Sequence, residues 1–153
     1  MAMRIESPVF SEGGRIPRSC TCDGKNVSPP LTWSGVPEGA KSLALICDDP
    51  DAPGKTWVHW VLFNLPPGTR QLPEGVPARA SVSGGGVQGK NDFRKLGYGG
   101  PCPPGGTHRY VFKLYALDLV LDLAAGATKA ELEDAIEGHV LGQAALTGKY
   151  SRG

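Results

Sequence analysis

A chain of 153 residues with a formal net charge of +1 fits one domain, 1–153, and lacks the basic excess that nucleic acid or an anionic membrane surface would attract. Gly 22 and Pro 14 are both high, yet 40% hydrophobic residues with almost no net charge exclude a disordered chain. No run approaches the roughly 18 apolar residues of a membrane span, and MAMRIESPVF lacks the apolar stretch of a signal peptide, so a cytoplasmic protein is expected.

Short strands are expected near Ile5–Ser7 and Leu31–Trp33. Between them lie Cys20 and Cys22, and further on Cys47 and Cys102; in a reducing compartment all four are expected as free thiols. Cys20-x-Cys22 is too tight for an ordinary disulfide and lacks a second pair at zinc-site spacing. No metal site is expected there.

Ser42–Cys47, SLALIC, is an apolar run bounded by polar residues and reads as a buried strand. Trp57–Leu65 reads as another. Alternation sets His59 on a face with Trp57, Val61 and Phe63, and Val58, Trp60 and Leu62 on the other. Both faces are largely apolar, so the strand should be central. Between Ala78 and Thr107 no regular element is evident. Asn91, Asp92, Phe93 and Tyr98 are nevertheless specific enough to expect a segment that wraps over the sheets and walls a site.

Tyr110–Leu117 is the third clear strand, with Tyr110, Phe112 and Leu114 on one face. Thr128 precedes Glu131 at capping-box spacing, and Leu132, Ala135, Ile136 and Val140 follow one helical face, with Gly142 as the stop. One helix within about Thr128–Leu141 is therefore expected, carrying His139. A last strand falls near Ala144–Tyr150. Many short strands separated by Gly/Pro turns indicate an all-β sandwich with one or two short helices.

Asp49, Asp51, His59 and His108 are the polar candidates. A tight connection can bring His59 near the two aspartates, while His108 comes from elsewhere in the sheet and no periodicity places it with them. The two aspartates follow the SLALIC strand in a turn stiffened by Pro50 and Pro53, and His59 lies at the start of the next strand. His108 leaves the glycine- and proline-rich stretch GYGGPCPPGGTH at the mouth of the Tyr110 strand, where function is often carried by loops on a rigid scaffold. Each residue also has a plain structural reading. The aspartates can bond turn N–H groups, and a strand histidine can be a satisfied core residue. His139 is read as structural or surface.

Three pieces in order carry a family resemblance: DDPDAP at Asp48–Pro53, WVHWVLFNLP at Trp57–Pro66, and GYGGPCPPGGTHRYVFKLYALD at Gly97–Asp118. With CDGKNVSPPLTWSGVP at Cys22–Pro37 and LTGKYSR at Leu146–Arg152, the chain resembles the phosphatidylethanolamine-binding protein family. The likeness is to its short bacterial and archaeal, Raf-kinase-inhibitor-like branch. The resemblance implies two antiparallel sheets with Greek-key connections. It also implies a small surface pocket for phosphate-like and carboxylate anions, lined by Asp49, Asp51, Pro53, His59, Pro101, His108 and Tyr110. Cys102, in the loop that the resemblance makes a binding wall, is taken with them.

The function expected is that of a non-catalytic binding module without cofactor or metal. Its ligand would be a phosphate, a phosphorylated group or a carboxylate. A kinase or protease as partner, and a homodimer, are further implications of the resemblance. The expected recognition uses imidazole N–H donors backed by carboxylates, with backbone N–H groups of Gly99–Gly106 forming a nest. Two other classes compete: a metal-assisted hydrolase built on the two histidines and two aspartates, and a thiol enzyme pairing Cys102 with His108.

Overall fold

Alternation of apolar side chains produces two antiparallel sheets that close face to face over one core. The computed structural model describes residues 2–152. The smaller sheet has the order β1 (Arg4–Glu6), β2 (Leu31–Ser34), β5 (Gln71–Leu72). The larger has the order β6 (Val87–Gln88), β4 (Trp57–Leu65), β3 (Ser42–Asp49), β7 (Thr107–Leu117), β8 (Val140–Ser151). Within it, β7-β3-β4-β6 follows the spatial pattern of a Greek key, the fourth strand returning beside the first.

The inter-sheet core takes Ile5, Leu31, Trp33 and Leu72 from the smaller sheet. It takes Leu43, Leu45, Trp60, Leu62, Tyr110, Phe112 and Leu114 from the larger. On the outer face of the larger sheet lies α1 (Lys129–Ile136). It buries Leu132 and Ile136 against Ala44, Ile46, Val61 and Phe63, each worth about 1.5–3 kcal/mol of apolar transfer. Thr128 Oγ1 accepts from the Glu131 N–H and the Glu131 carboxylate accepts from the Thr128 N–H, closing the expected capping box.

Three expectations are corrected. The helix ends at Ile136, not near Leu141, because Gly138 takes φ 81° and turns the chain; Val140 already belongs to β8. His139 therefore lies in the turn, where it bonds Asp118. The segment after Ala78 does contain an element, the short strand β6, and beyond it runs beside β4. Gly89 N–H donates to Val61 O, Asp92 N–H to Val58 O and Gly99 N–H to His59 O.

The third correction is a β-bulge. Asp48 pairs with Val58 and Cys47 with Trp60, so His59 is the extra residue between them. Simple alternation would group His59 with Val61 and Phe63. The bulge instead sends those two, with Val58, beneath the helix. His59 and Trp57 are re-aimed to one end of the sandwich.

Candidate functional site

At that end a cavity of about 280 Å³ opens, lined by Asp49, Ala52, Pro53, Trp57, His59, Phe93, Cys102, Pro103, Pro104, His108 and Tyr110. The volume lies just under the lower end of the usual range for small-molecule sites, about 300–1,000 Å³. Of the residues singled out from sequence, Asp49, Pro53, His59, Cys102, His108 and Tyr110 are in the lining. Asp51 and Pro101 are not.

Strand register explains this division. β3 continues past the apolar run through Asp48 and Asp49, whose side chains go to opposite faces. Asp48 is buried beneath the helix, where Lys113 Nζ and Lys129 Nζ donate to Oδ2 at 3.1 and 2.7 Å. Asp49 faces the cavity end, where His108 Nδ1 lies 2.6 Å from its Oδ2 and its Oδ1 accepts from the Asp51 N–H. Arg109, next to His108, necessarily points the other way. Its Nε and Nη2 hold the Asp51 carboxylate in a two-pronged pair at 2.9 and 2.8 Å. The bonds from Arg109 hold the Asp51 carboxyl down at about 2. Asp51 fastens the turn to β7 outside the cavity; the alternation of His108, Arg109 and Tyr110 was the signal for it.

The wall loop is fixed at several points. Asn91 Oδ1 accepts from the N–H groups of Phe93 and Lys95, while its Nδ2 donates to Gly97 O. Phe93 is thereby set edge-on to both Trp57 and His59, each with centroids 5.5 Å apart. Tyr98 Oη donates to Cys20 O, and Cys22 N–H to Pro101 O. Gly100 is a close-approach glycine: a Cβ there would collide with Cys20 O and Asn26 Oδ1.

Cys22 and Cys102 form a disulfide, which overturns the expectation of four free thiols. Only Cys20 and Cys47 are free, and both are buried. The expectation came from compartment, whereas the pairing comes from two segments that meet only in the fold. A Cys102 thiolate nucleophile is thereby removed from the structure. The expected backbone nest over Gly99–Gly106 is narrowed to the N–H groups of Cys102, Gly105 and Gly106. The N–H groups of Gly99 and Gly100 are already given to His59 O and Asn26 Oδ1, and Pro101, Pro103 and Pro104 have none.

His59 Nδ1 lies 2.6 Å from Gly99 O. A carbonyl only accepts, so Nδ1 carries the hydrogen. Burial pulls the His59 pKa below its ordinary value, outweighing the Gly99 bond and the carboxylates Asp49, Asp48 and Asp92. Burial first, and Asp49 next, push the Tyr110 phenol well above its usual range, so the hydroxyl keeps its proton. Both imidazoles are bonded to the protein through Nδ1 and flank Tyr110, with centroids 5.1 Å from His59 and 6.5 Å from His108. Among the described residues, no group of three or more His, Cys, Asp or Glu side chains is placed to hold a metal ion.

A family model described as phosphatidylethanolamine-binding protein matches residues 6–151. The chain belongs to the phosphatidylethanolamine-binding protein family. It is 60% identical over 151 residues to a UPF0098 protein of Methanothermobacter thermautotrophicus, covering 99% of this chain and 100% of that one. A UPF0098 protein of Aquifex aeolicus is 48% identical, with 98% and 89% covered. Among solved structures, the phosphatidylethanolamine-binding protein homolog CT736 of Chlamydia trachomatis superposes with a TM-score of 0.91 at 43% identity, 99% of each chain being covered. Escherichia coli YbcL, described as a new member of the mammalian family, gives a TM-score of 0.90 at 35% identity over the whole of both chains. No helix of the described residues is long and apolar enough to cross a membrane.

Proposed function

We propose that this protein is a binding module that holds a small phosphate-like group in the cavity at the end of the sandwich and performs no chemistry on it. One observation carries the reading: His59, His108 and Tyr110, drawn from two strands, converge on one cavity, with the His108 ring held by a buried carboxylate at 2.6 Å. Asp49 acts from behind, fixing the ring through Nδ1 and leaving Nε2 for the ligand. Tyr110 adds a hydroxyl donor. Trp57 and Phe93 give the mouth an apolar rim that suits whatever carries the charged group.

A thiol nucleophile at Cys102, or a metal held by the two histidines and two aspartates, would need those groups unengaged. The disulfide occupies Cys102, Arg109 occupies Asp51, and Gly99 occupies His59 Nδ1. These engagements support binding over hydrolysis. If the phosphorylated group is borne by a protein, the same pocket serves a kinase or protease partner.

Calorimetric titration with methyl phosphate at about pH 6, where phosphate monoesters are half-ionised in their second step, tests the reading. Saturable binding is expected in the wild type, a loss of tenfold or more in His108→Ala, and no change in His139→Ala. Absence of binding, or equal binding in His108→Ala, sinks it.

A further inference from the structure

Resting on that reading, we infer that the carrier of the phosphorylated group is an acidic polypeptide segment, whose carboxylates lie in a basic groove on the far side of Trp57. The groove, about 730 Å³, is bounded by the start of β4, the wall loop and the first turn of α1. Trp57 lines both the groove and the cavity that holds the two histidines. The two spaces are therefore neighbours across one aromatic side chain.

One fixed turn serves both of them. Asn91 Oδ1 accepts from the N–H groups of Phe93 and Lys95, and Asn91 O accepts from the Arg94 N–H. Arg94 is held there at φ 65°, left-handed backbone that a residue other than glycine keeps only where its surroundings enforce it. Consecutive residues of this turn divide between the two spaces, Phe93 lining the cavity and Arg94 the groove. Phe93 is 37% exposed, a ring placed to be covered by a chain that leaves the cavity.

Charge decides what such a chain carries. Lys55, Lys90, Arg94 and Lys129 line the groove against two carboxylates, Asp92 and Glu133. Lys55 is paired with Asp92 at 3.1 Å, and Lys129 with the buried Asp48 at 2.7 Å. Lys90 and Arg94 are exposed and have no ion-pair partner among the described residues. The positive excess is local, on a chain whose formal net charge is only +1. An acyl chain leaving the cavity on this side would meet lysine and arginine where it needs apolar surface, and a bilayer is flat where these charges line a concavity. An extended polypeptide fits, with its phosphorylated side chain in the cavity and acidic side chains at Lys90 and Arg94. Exposed ion pairs add little affinity each and mainly discriminate between partners. The groove therefore selects among phosphorylated segments and does not hold one unaided.

The full chain is titrated calorimetrically with methyl phosphate and with two blocked phosphoserine peptides, one flanked on both sides by aspartates and the other by asparagines. In low salt the aspartate peptide is expected to bind tighter by about threefold or more, and the gap should close as salt screens the groove. In Lys90→Gln/Arg94→Gln the gap should vanish, while methyl phosphate binds as in the wild type because neither residue lines the cavity. A smaller gap in the wild type, a gap that survives in the variant, or loss of methyl phosphate binding in the variant overturns the inference and leaves phosphate binding by the wild type standing. Phosphatidylserine vesicles that sediment the wild type but not the variant would assign the groove to a bilayer and overturn it as well. If neither methyl phosphate nor either peptide binds the wild type, the binding function itself falls, and this inference with it.

Discussion

His108 and Asp49, 59 residues apart in sequence, meet Nδ1 to Oδ2 at 2.6 Å with both side chains almost wholly out of water. The contact joins β7 to the end of β3 and sets the direction in which the imidazole faces the cavity. A hydrogen bond to a charged group is worth about 1.5–3 kcal/mol, and an orphaned partner costs a similar amount. Asp49→Ala is therefore expected to lower unfolding free energy by about 2 kcal/mol and to weaken methyl phosphate binding. Asp49→Asn, which can still accept from Nδ1, should recover part of both. Urea titration of the two variants checks the first effect and calorimetry the second.

The Cys22–Cys102 bridge closes a loop of 80 residues. In the chain-entropy account a loop of that length contributes about 4.5 kcal/mol, or roughly 10 °C in Tm for a chain of this size. Reduction in native buffer should lower Tm by about that amount. It should expose two thiols per chain to alkylation, those of Cys22 and Cys102. Cys20 and Cys47 are buried, and desolvation pushes both thiols up, Cys47 well up; they should react only after denaturation. Four alkylated thiols after reduction in native buffer would show that the bridge holds the fold together and not merely its wall.

Wall position is expected to depend on Gly100. Its missing side chain lets the loop lie against Cys20 O and Asn26 Oδ1, and its N–H donates to the latter at 2.8 Å. Gly100→Ala forces backbone apart, which typically costs about 1–3 kcal/mol, and should weaken ligand binding through Cys102 and Pro103. Gly105→Ala, five residues further along the chain and in open space, should do neither. Thermal melts of the two variants, followed by titration with methyl phosphate, separate a seated wall from a passive one.

What was legible in the sequence was local. Trp57–Leu65 matches β4 at both ends, and Thr128 and Glu131 announced the helix start. The helix stop was misread because Val140 continues an apolar period across Gly138, where the chain has already turned. β3 was cut short at Cys47 because Asp48 and Asp49 interrupt the apolar run. Their polarity is satisfied by partners 59 to 81 residues away in sequence, which no local pattern shows. The bulge at His59 and the Cys22–Cys102 pair are likewise properties of strand pairing and not of spacing. Asp51 was placed with Asp49 by proximity, although its partner, Arg109, was readable from alternation along β7.

Two acid windows of stability should be separable. His59 has a folded pKa lowered by burial, so between that value and the unfolded one, about 6.5, the unfolded chain binds more protons. Stability must then fall as pH drops below about 6.5, because the native state resists charging the ring. Asp51, held down at about 2 by Arg109, acts in a lower window. Its contribution is present above the unfolded carboxylate value, about 3.9, and is lost as pH falls toward 2. That pair is exposed, so the second step should be small and should shrink further in salt. The check is the urea midpoint measured from about pH 8 down to about pH 2.5 in wild type, His59→Gln and Asp51→Asn. His59→Gln should flatten the upper step alone, and Asp51→Asn the lower step alone. If His59→Gln leaves the fall below about pH 6.5 unchanged, the ring is not the group that resists charging.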